Sequence, residues 1–145
     1  MIALYNLGLM YSEGLGVMQN YQTAHEWYEK AAAQSLPQAQ YNLGVMYEGG
    51  WGVKQDDAQA RQWCEKAAAQ VFVEAQFNLG VMYANGQGIA QDYVKAREWW
   101  EKAAAQGFSE AQHGLLKCIR NTSHQLTKLR CRFYRNTVRQ LPTIL

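Results

Sequence analysis

Ala39-Gln40-Tyr41-Asn42-Leu43-Gly44 decides the fold, because it is one of three copies. The run stands 36 residues earlier as Ala3-Leu4-Tyr5-Asn6-Leu7-Gly8, and 36 residues later as Ala75-Gln76-Phe77-Asn78-Leu79-Gly80. A second marker, Glu-Lys-Ala-Ala-Ala-Gln, recurs in the same register at 29–34, 65–70 and 101–106. Self-similarity at this period marks a solenoid, in which one supersecondary unit buries its apolar face against the next copy. Such arrays offer extended surfaces to partners more readily than catalytic clefts. The expectation is an interaction protein and not an enzyme.

Each unit reads as two helices. Helix A of the second unit is expected from about Gln38 to Tyr47. Gly49-Gly50-Trp51-Gly52 stops it, since glycine accepts the left-handed backbone of a helix end. Gly14-Leu15-Gly16 and Gly86-Gln87-Gly88 are the matching stops. Asn20, Asp56 and Asp92 then recur as N-caps, each with a side-chain oxygen for a free N–H of the first turn of helix B. At 100° per residue, Ala3, Leu7, Met10 and Tyr11 share one side of helix A, with Gly8 at its edge. Ala24, Trp27, Tyr28 and Ala31 do so on helix B. Gly8, Gly44 and Gly80 let a neighbouring helix approach closely, and the Trp27, Trp63 and Trp99 column is expected to supply large buried area. Glu26–Lys30 and Glu98–Lys102 are spaced as exposed i,i+4 pairs.

The pattern Ala-x-x-x-Leu-Gly-x-x-Tyr, Gly-x-Gly-Val, Asp-x-x-x-Ala-x-x-Trp-x-x-Lys-Ala-Ala resembles the Sel-one-like repeat family, a relative of the tetratricopeptide repeat. The resemblance covers about residues 1–117. It implies an all-α fold: a right-handed superhelical α/α solenoid of three repeats with a divergent C-terminal capping repeat. The expected organisation is a single domain over 1–145, with units of about 1–36, 37–72 and 73–108. A degenerate fourth unit and a basic capping helix then fill 109–145. Adaptor roles in assembling protein complexes are also implied. The secreted bacterial branch carries a disulfide in each repeat, and its cysteine pairs are missing here.

The fourth unit keeps Ala111-Gln112-His113-Gly114-Leu115-Leu116 and then departs from the pattern. No Gly-x-Gly follows. Asn121-Thr122-Ser123 is expected as a turn, and His124–Gln140 as a divergent final helix covering the last apolar surface. Residues 1–110 carry twelve acids against seven bases, whereas Lys117, Arg120, Lys128, Arg130, Arg132, Arg135 and Arg139 follow with no acid among them. A solvated capping helix, docking onto an acidic surface, and contact with nucleic acid or membrane are three readings of that tail. The first is preferred, and no nucleic-acid motif supports the third. Cys64, Cys118 and Cys131 form no Cys-x-x-Cys and are odd in number. Cys64 and Cys118 read as apolar fillers, with a Cys118–Cys131 bridge as the alternative.

If helix A lines the inside of the curve, as the resemblance implies, its side away from the core forms three columns. One is Tyr5, Tyr41, Phe77 and His113; another is Asn6, Asn42, Asn78 and Gly114; the third is Leu9, Val45, Val81 and Lys117. Rings supply contact area at low entropy cost, and Asn carboxamides donate and accept, which suits a partner's backbone. Lys117 and Arg120 would meet an acidic group or a C-terminal carboxylate at the closed end. A protein or peptide partner is therefore expected. The plainer reading is that Asn-Leu-Gly recurs through duplication alone and the rings pack between repeats.

Other chemistries find poor support. The sequence has no His-Glu-x-x-His, P-loop, Gly-x-Ser-x-Gly or Ser-x-x-Lys. Asp56-Asp57 reads as helix capping and not a metal site. No catalytic residue, metal or cofactor is expected; the competing reading is a cell-wall or β-lactam hydrolase, as suggested for cysteine-rich relatives. No apolar run reaches membrane-span length, and no nucleic-acid partner is expected. The first residues lack signal-peptide features, so a cytoplasmic location is the default, with the envelope or outside left open for a fragment. The bare apolar start of the first repeat suggests end-to-end self-association.

Overall fold

The structure is a computed structural model that describes residues 2–122, with side chains to residue 116. Among the described residues the chain forms seven helices and no strand. They are α1 (Ile2–Glu13), α2 (Tyr21–Ala33), α3 (Pro37–Gly49), α4 (Asp57–Ala69), α5 (Val73–Asn85), α6 (Tyr93–Ala105) and α7 (Ser109–Thr122). Each helix packs on its neighbours in sequence, α1 on α2 through to α6 on α7. The result is an α/α solenoid. The expected turn at Asn121-Thr122 is instead helical, because α7 runs through Thr122. Residues 123–145 lie outside the described residues, and with them the expected helix His124–Gln140 and the Cys118–Cys131 bridge, whose Cys118 side chain is also undescribed.

The A–B turns follow the sequence. Gly14, Gly50 and Gly86 hold φ near +70°, and Gly50 and Gly86 cap α3 and α5. The Asp56 carboxylate accepts from the Ala58 and Gln59 N–H groups, and Asp92 from those of Val94 and Lys95. Asn20 caps α2 through the Thr23 N–H. The second glycine of the later two turns does other work, while a Cβ on Gly16 in the first would meet nothing within 4 Å. A Cβ on Gly52 would lie 2.6 Å from the Tyr21 carbonyl carbon, and one on Gly88 would press equally on Asp57. These two turns are thus laid directly on the first turn of the preceding helix B. The B–A turns use left-handed backbone at Ser35, Val71 and Gly107.

The core repeats with the sequence. Ala24, Tyr28, Ala31, Ala32, Ala39, Leu43 and Met46 form one buried cluster; Ala60, Cys64, Ala67, Ala68, Ala75, Leu79 and Met82 form the next. A third gathers Tyr83, Ala96, Trp100, Ala103, Ala104, Ala111 and Leu115. Gly8, Gly44 and Gly80 sit where a Cβ would strike Tyr28, Cys64 and Trp100 of the partner helix, the close approach expected of them. Trp27, Trp63 and Trp99 differ from expectation. They are half-buried, and the fully enclosed positions are one residue on, at 28, 64 and 100. Lys30, Lys66 and Lys102 lie over the three indoles, 4.3, 3.9 and 4.1 Å from the ring centroids. Lys30 and Lys102 therefore cover rings, where sequence spacing had them reaching Glu26 and Glu98. Even at an exposed site, a cation–π contact is worth at least as much as an exposed i,i+4 pair.

A glutamine ladder ties helix A to the end of helix B within the second and third units and reaches back to the unit before. Gln70 Nε2 donates to Gln40 Oε1 at 2.9 Å, and Gln106 Nε2 donates to Gln76 Oε1 at 2.8 Å. Gln40 and Gln76 are buried, and each amide also makes a long 3.5 Å bond to the carbonyl of Ala32 or Ala68 in the preceding unit. A buried amide left unpaired is costly, so the ladder favours one stacking register. Leu4 holds the corresponding position in the first unit.

Candidate partner-binding surface

Helix A carries the predicted columns on α1, α3, α5 and α7. Tyr5, Tyr41 and Phe77 are half-buried. Each ring uses one side for packing. Tyr5 meets Tyr28 at 5.7 Å between centroids; Tyr41 meets Phe72 at 5.4 Å; Phe77 meets Phe108 at 5.3 Å and Trp100 at 6.5 Å. Phe72 and Phe108 belong to the turns into the next unit, so these rings seal the junctions between repeats. The plainer reading of the aromatic column is therefore correct for one face of each ring. The rest of each ring stays accessible.

The second column is divided. Asn6 is exposed, while Asn42 and Asn78 are half-buried. Burial pushes the Tyr28 hydroxyl pKa up, and hydrogen bonds from Ser12 and Asn42 oppose that rise. Burial likewise raises Tyr41, against a hydrogen bond to Asn78. Two of the carboxamides thus lie near enough to a tyrosine hydroxyl to act on its titration. A carboxamide offers four hydrogen-bond sites, so each keeps capacity for a partner.

Leu9, Val45 and Val81 are half-buried beside these residues, and His113 is exposed on α7. Lys117 and Arg120 are carried by α7, and their side chains fall outside the described residues. Through Val81 the structure groups nine of the predicted positions on the A helices of successive units. It adds a feature that residue spacing had not brought out: α1, α3 and α5 contain Glu13, Glu48 and Glu74 and no Lys, Arg or His. Burial, followed by repulsion from Asp57, pushes the Glu48 carboxyl above its usual range. The bases of residues 1–116 lie on the B helices, with Lys54 in a turn.

Among the described residues, no group of three His, Cys, Asp or Glu side chains is placed to hold a metal ion. None of the described helices is long and apolar enough to cross a membrane. Cys64 is free and buried, and burial pushes its thiol up to about 12. A thiol of that kind is a poor nucleophile at neutral pH.

Residues 2–36, 37–71 and 73–108 each match the Sel1 repeat. Among solved structures, the chain is 47% identical to a protective antigen present in uropathogenic Escherichia coli strains displaying an SLR fold, with a TM-score of 0.81. That match covers 83% of this chain and 26% of the antigen, so the chain spans about a quarter of the antigen's length. It is 43% identical to a Sel1 repeat protein from Oxalobacter formigenes, with a TM-score of 0.74, over 80% of this chain and 87% of that one. It is 26% identical to Helicobacter pylori cysteine rich protein B, with a TM-score of 0.65, over 76% and 85% of the two chains. No functionally curated protein matches it.

Proposed function

The chain belongs to the Sel1 repeat family, whose members are generally protein-interaction modules, and on that premise we propose that the open side of its A helices binds an extended peptide segment of a partner protein. The bound segment runs across the units. It buries the accessible edges of Tyr5, Tyr41 and Phe77 together with Leu9, Val45 and Val81. Asn6, Asn42 and Asn78 bond its backbone, and His113, Lys117 and Arg120 close the far end. One observation carries this reading: the rings are fixed on one side by their neighbours and half-open on the other, three times in register. A side chain ordered before binding loses less entropy on contact, which raises affinity without added area.

The test is a selection from a random peptide library on the whole chain, followed by affinity measurement on the variants. Val45→Asp should weaken a selected peptide by about tenfold or more, since a central apolar contact becomes a charge. Asn6→Ala, at an exposed site, should weaken it less. Lys66→Ala, on the outer face of α4, should leave it unchanged. Far-UV circular dichroism and urea midpoints show whether each variant is folded. Equal binding by folded Val45→Asp would remove the proposal. No observation favours the hydrolase alternative.

A further inference from the structure

The A–B turns form one continuous edge, distinct from the open side of the A helices. Gly52 lies against the backbone of Tyr21 and Gln22, and Gly88 against that of Asp57 and Ala58. The Trp51 indole stacks on the Tyr21 ring, 5.9 Å between centroids and 24° between planes. Asp56 and Asp92 donate their backbone N–H groups to the Tyr47 and Tyr83 carbonyls, which fastens each turn to the helix before it. Three successive turns therefore make a single ordered rim.

That rim is unusual in two respects. Leu15, Met18, Tyr21, Trp51, Tyr93 and Val94 are large apolar side chains exposed along it, with Met18 at 88% and Trp51 at 47%. It is also acidic. Glu13, Glu48, Asp56, Asp57 and Asp92 stand on it or beside it, against Lys54 and Lys95. Lys95 is already placed over the Tyr83 ring. Surfaces that join exposed apolar groups to one sign of charge mark interaction sites.

The complementary chemistry lies in the same chain. Residues 123–145 hold Lys128, Arg130, Arg132, Arg135 and Arg139 and no acid. Leu126, Leu129, Phe133, Tyr134 and Val138 are interspersed among them. The position of its attachment matters as much as its charge. Helix α7 is the A helix of the fourth unit and packs on α6 as α5 packs on α4. Its C-terminal end at Thr122 thus lies at the edge where α1, α3 and α5 end. Residue 123 follows directly on that end in the chain. Packed helices sit about 8–10 Å apart, so the rim runs a few tens of ångströms from α7 to α1. A chain of 23 residues spans about 75 Å at full extension, so reach is no obstacle.

We propose that the A–B turn rim is the docking surface of this chain's own basic segment 123–145. Arginines meet the rim carboxylates and stack on the exposed rings of Trp51, Tyr21 and Tyr93, while the segment's apolar residues cover Met18 and Val94. Guanidinium groups suit both tasks. The contact leaves the open side of the A helices free.

Cys131 supplies a probe in the full-length chain. In Cys118→Ser protein, a nitroxide attached at Cys131 is selective, because Cys64 is buried and its thiol is pushed up to about 12. The amides of Trp51, Asp57, Gly88 and Asp92 should lose intensity through paramagnetic broadening. The loss should persist on dilution and diminish in about 0.5 M salt, as exposed ion pairs are screened. Broadening confined to α6 and α7, or to the opposite edge at Ser35, Val71 and Gly107, would overturn the proposal. So would broadening that arises only between labelled and unlabelled copies, or none at all. The unsubstituted chain gives a second readout: carbodiimide coupling should join Lys128 to Glu48, Asp56, Asp57 or Asp92. Coupling of Lys128 only to acids farther along the B helices, such as Glu65 or Glu101, would count against it.

Discussion

The seam between the two helices of the second unit and that of the third rest on equivalent glycines and are filled differently. Gly44 faces Cys64, and Gly80 faces Trp100. The small thiol leaves room beside it, where Glu48 lies near enough to act on it electrostatically. The large indole is matched at the corresponding position by Ala84, which packs against the same cluster. In the first unit an intermediate solution appears: Tyr28 bonds Ser12 through its hydroxyl at 3.2 Å. The backbone of the repeat is thus constant, and the seam volume is shared between two positions that vary together. Interiors are close-packed, so a change at one position is tolerated only with its complement.

The largest effect should come from emptying the third seam. Trp100 is buried and its indole N–H donates to the Phe77 carbonyl at 3.2 Å. Trp100→Ala should cost about 3–5 kcal/mol in urea unfolding, as other large-to-small core changes do. A cost below that of Trp63→Ala would break the comparison, since Trp63 is only half-buried.

Next come the glycines. Gly80→Ala drives a methyl into the indole and should cost about 1–3 kcal/mol from overpacking, partly offset by the better helix propensity of alanine. Gly44→Ala should cost less. Its new Cβ would lie 2.8 Å from the Cys64 sulfur but 3.2 Å from the fixed Ala60 carbonyl. Gly114→Ala should stabilise, because its Cβ would meet Trp100 at 3.5 Å, an ordinary contact. Equal costs at 44 and 80 would mean that seam filling does not matter.

The smallest effect belongs to Glu48. Its carboxyl is raised above 4.5 by burial and then by Asp57. The folded state therefore favours the protonated form, and that stability is lost as pH rises from 4.5 through the folded-state value. Glu48→Gln should raise the melting temperature at pH 7 and have little effect near pH 3. A lower melting temperature at pH 7 would show that the carboxylate is held by a favourable contact.

The helix pairs, glycine stops, N-caps and close-approach glycines were legible because each depends on a few adjacent residues. The glutamine ladder was not, although Gln40 and Gln76 recur with Gln70 and Gln106 in register. Its partners are 30 residues apart, and only the packing of helix B back along helix A brings them together. The expected packing face of helix B held positions 27 and 28 together; the structure encloses 28 and leaves 27 half-buried, and the tilt of helix B decides between them. The binding columns were partly legible. Their residues do lie on successive A helices, but whether a ring such as Tyr41 is sealed or open depends on Phe72, which the turn between units supplies.

The most direct measurement of the binding-surface claim is a nuclear magnetic resonance titration of the labelled chain with a library-selected peptide. Side-chain amide signals of Asn6, Asn42 and Asn78 should shift together and saturate at one peptide per chain. The indole N–H signals of Trp27, Trp63 and Trp99 should stay in place beneath their lysines. Shifts of those three indoles with the asparagine amides unmoved would place the partner on the B helices and contradict the account.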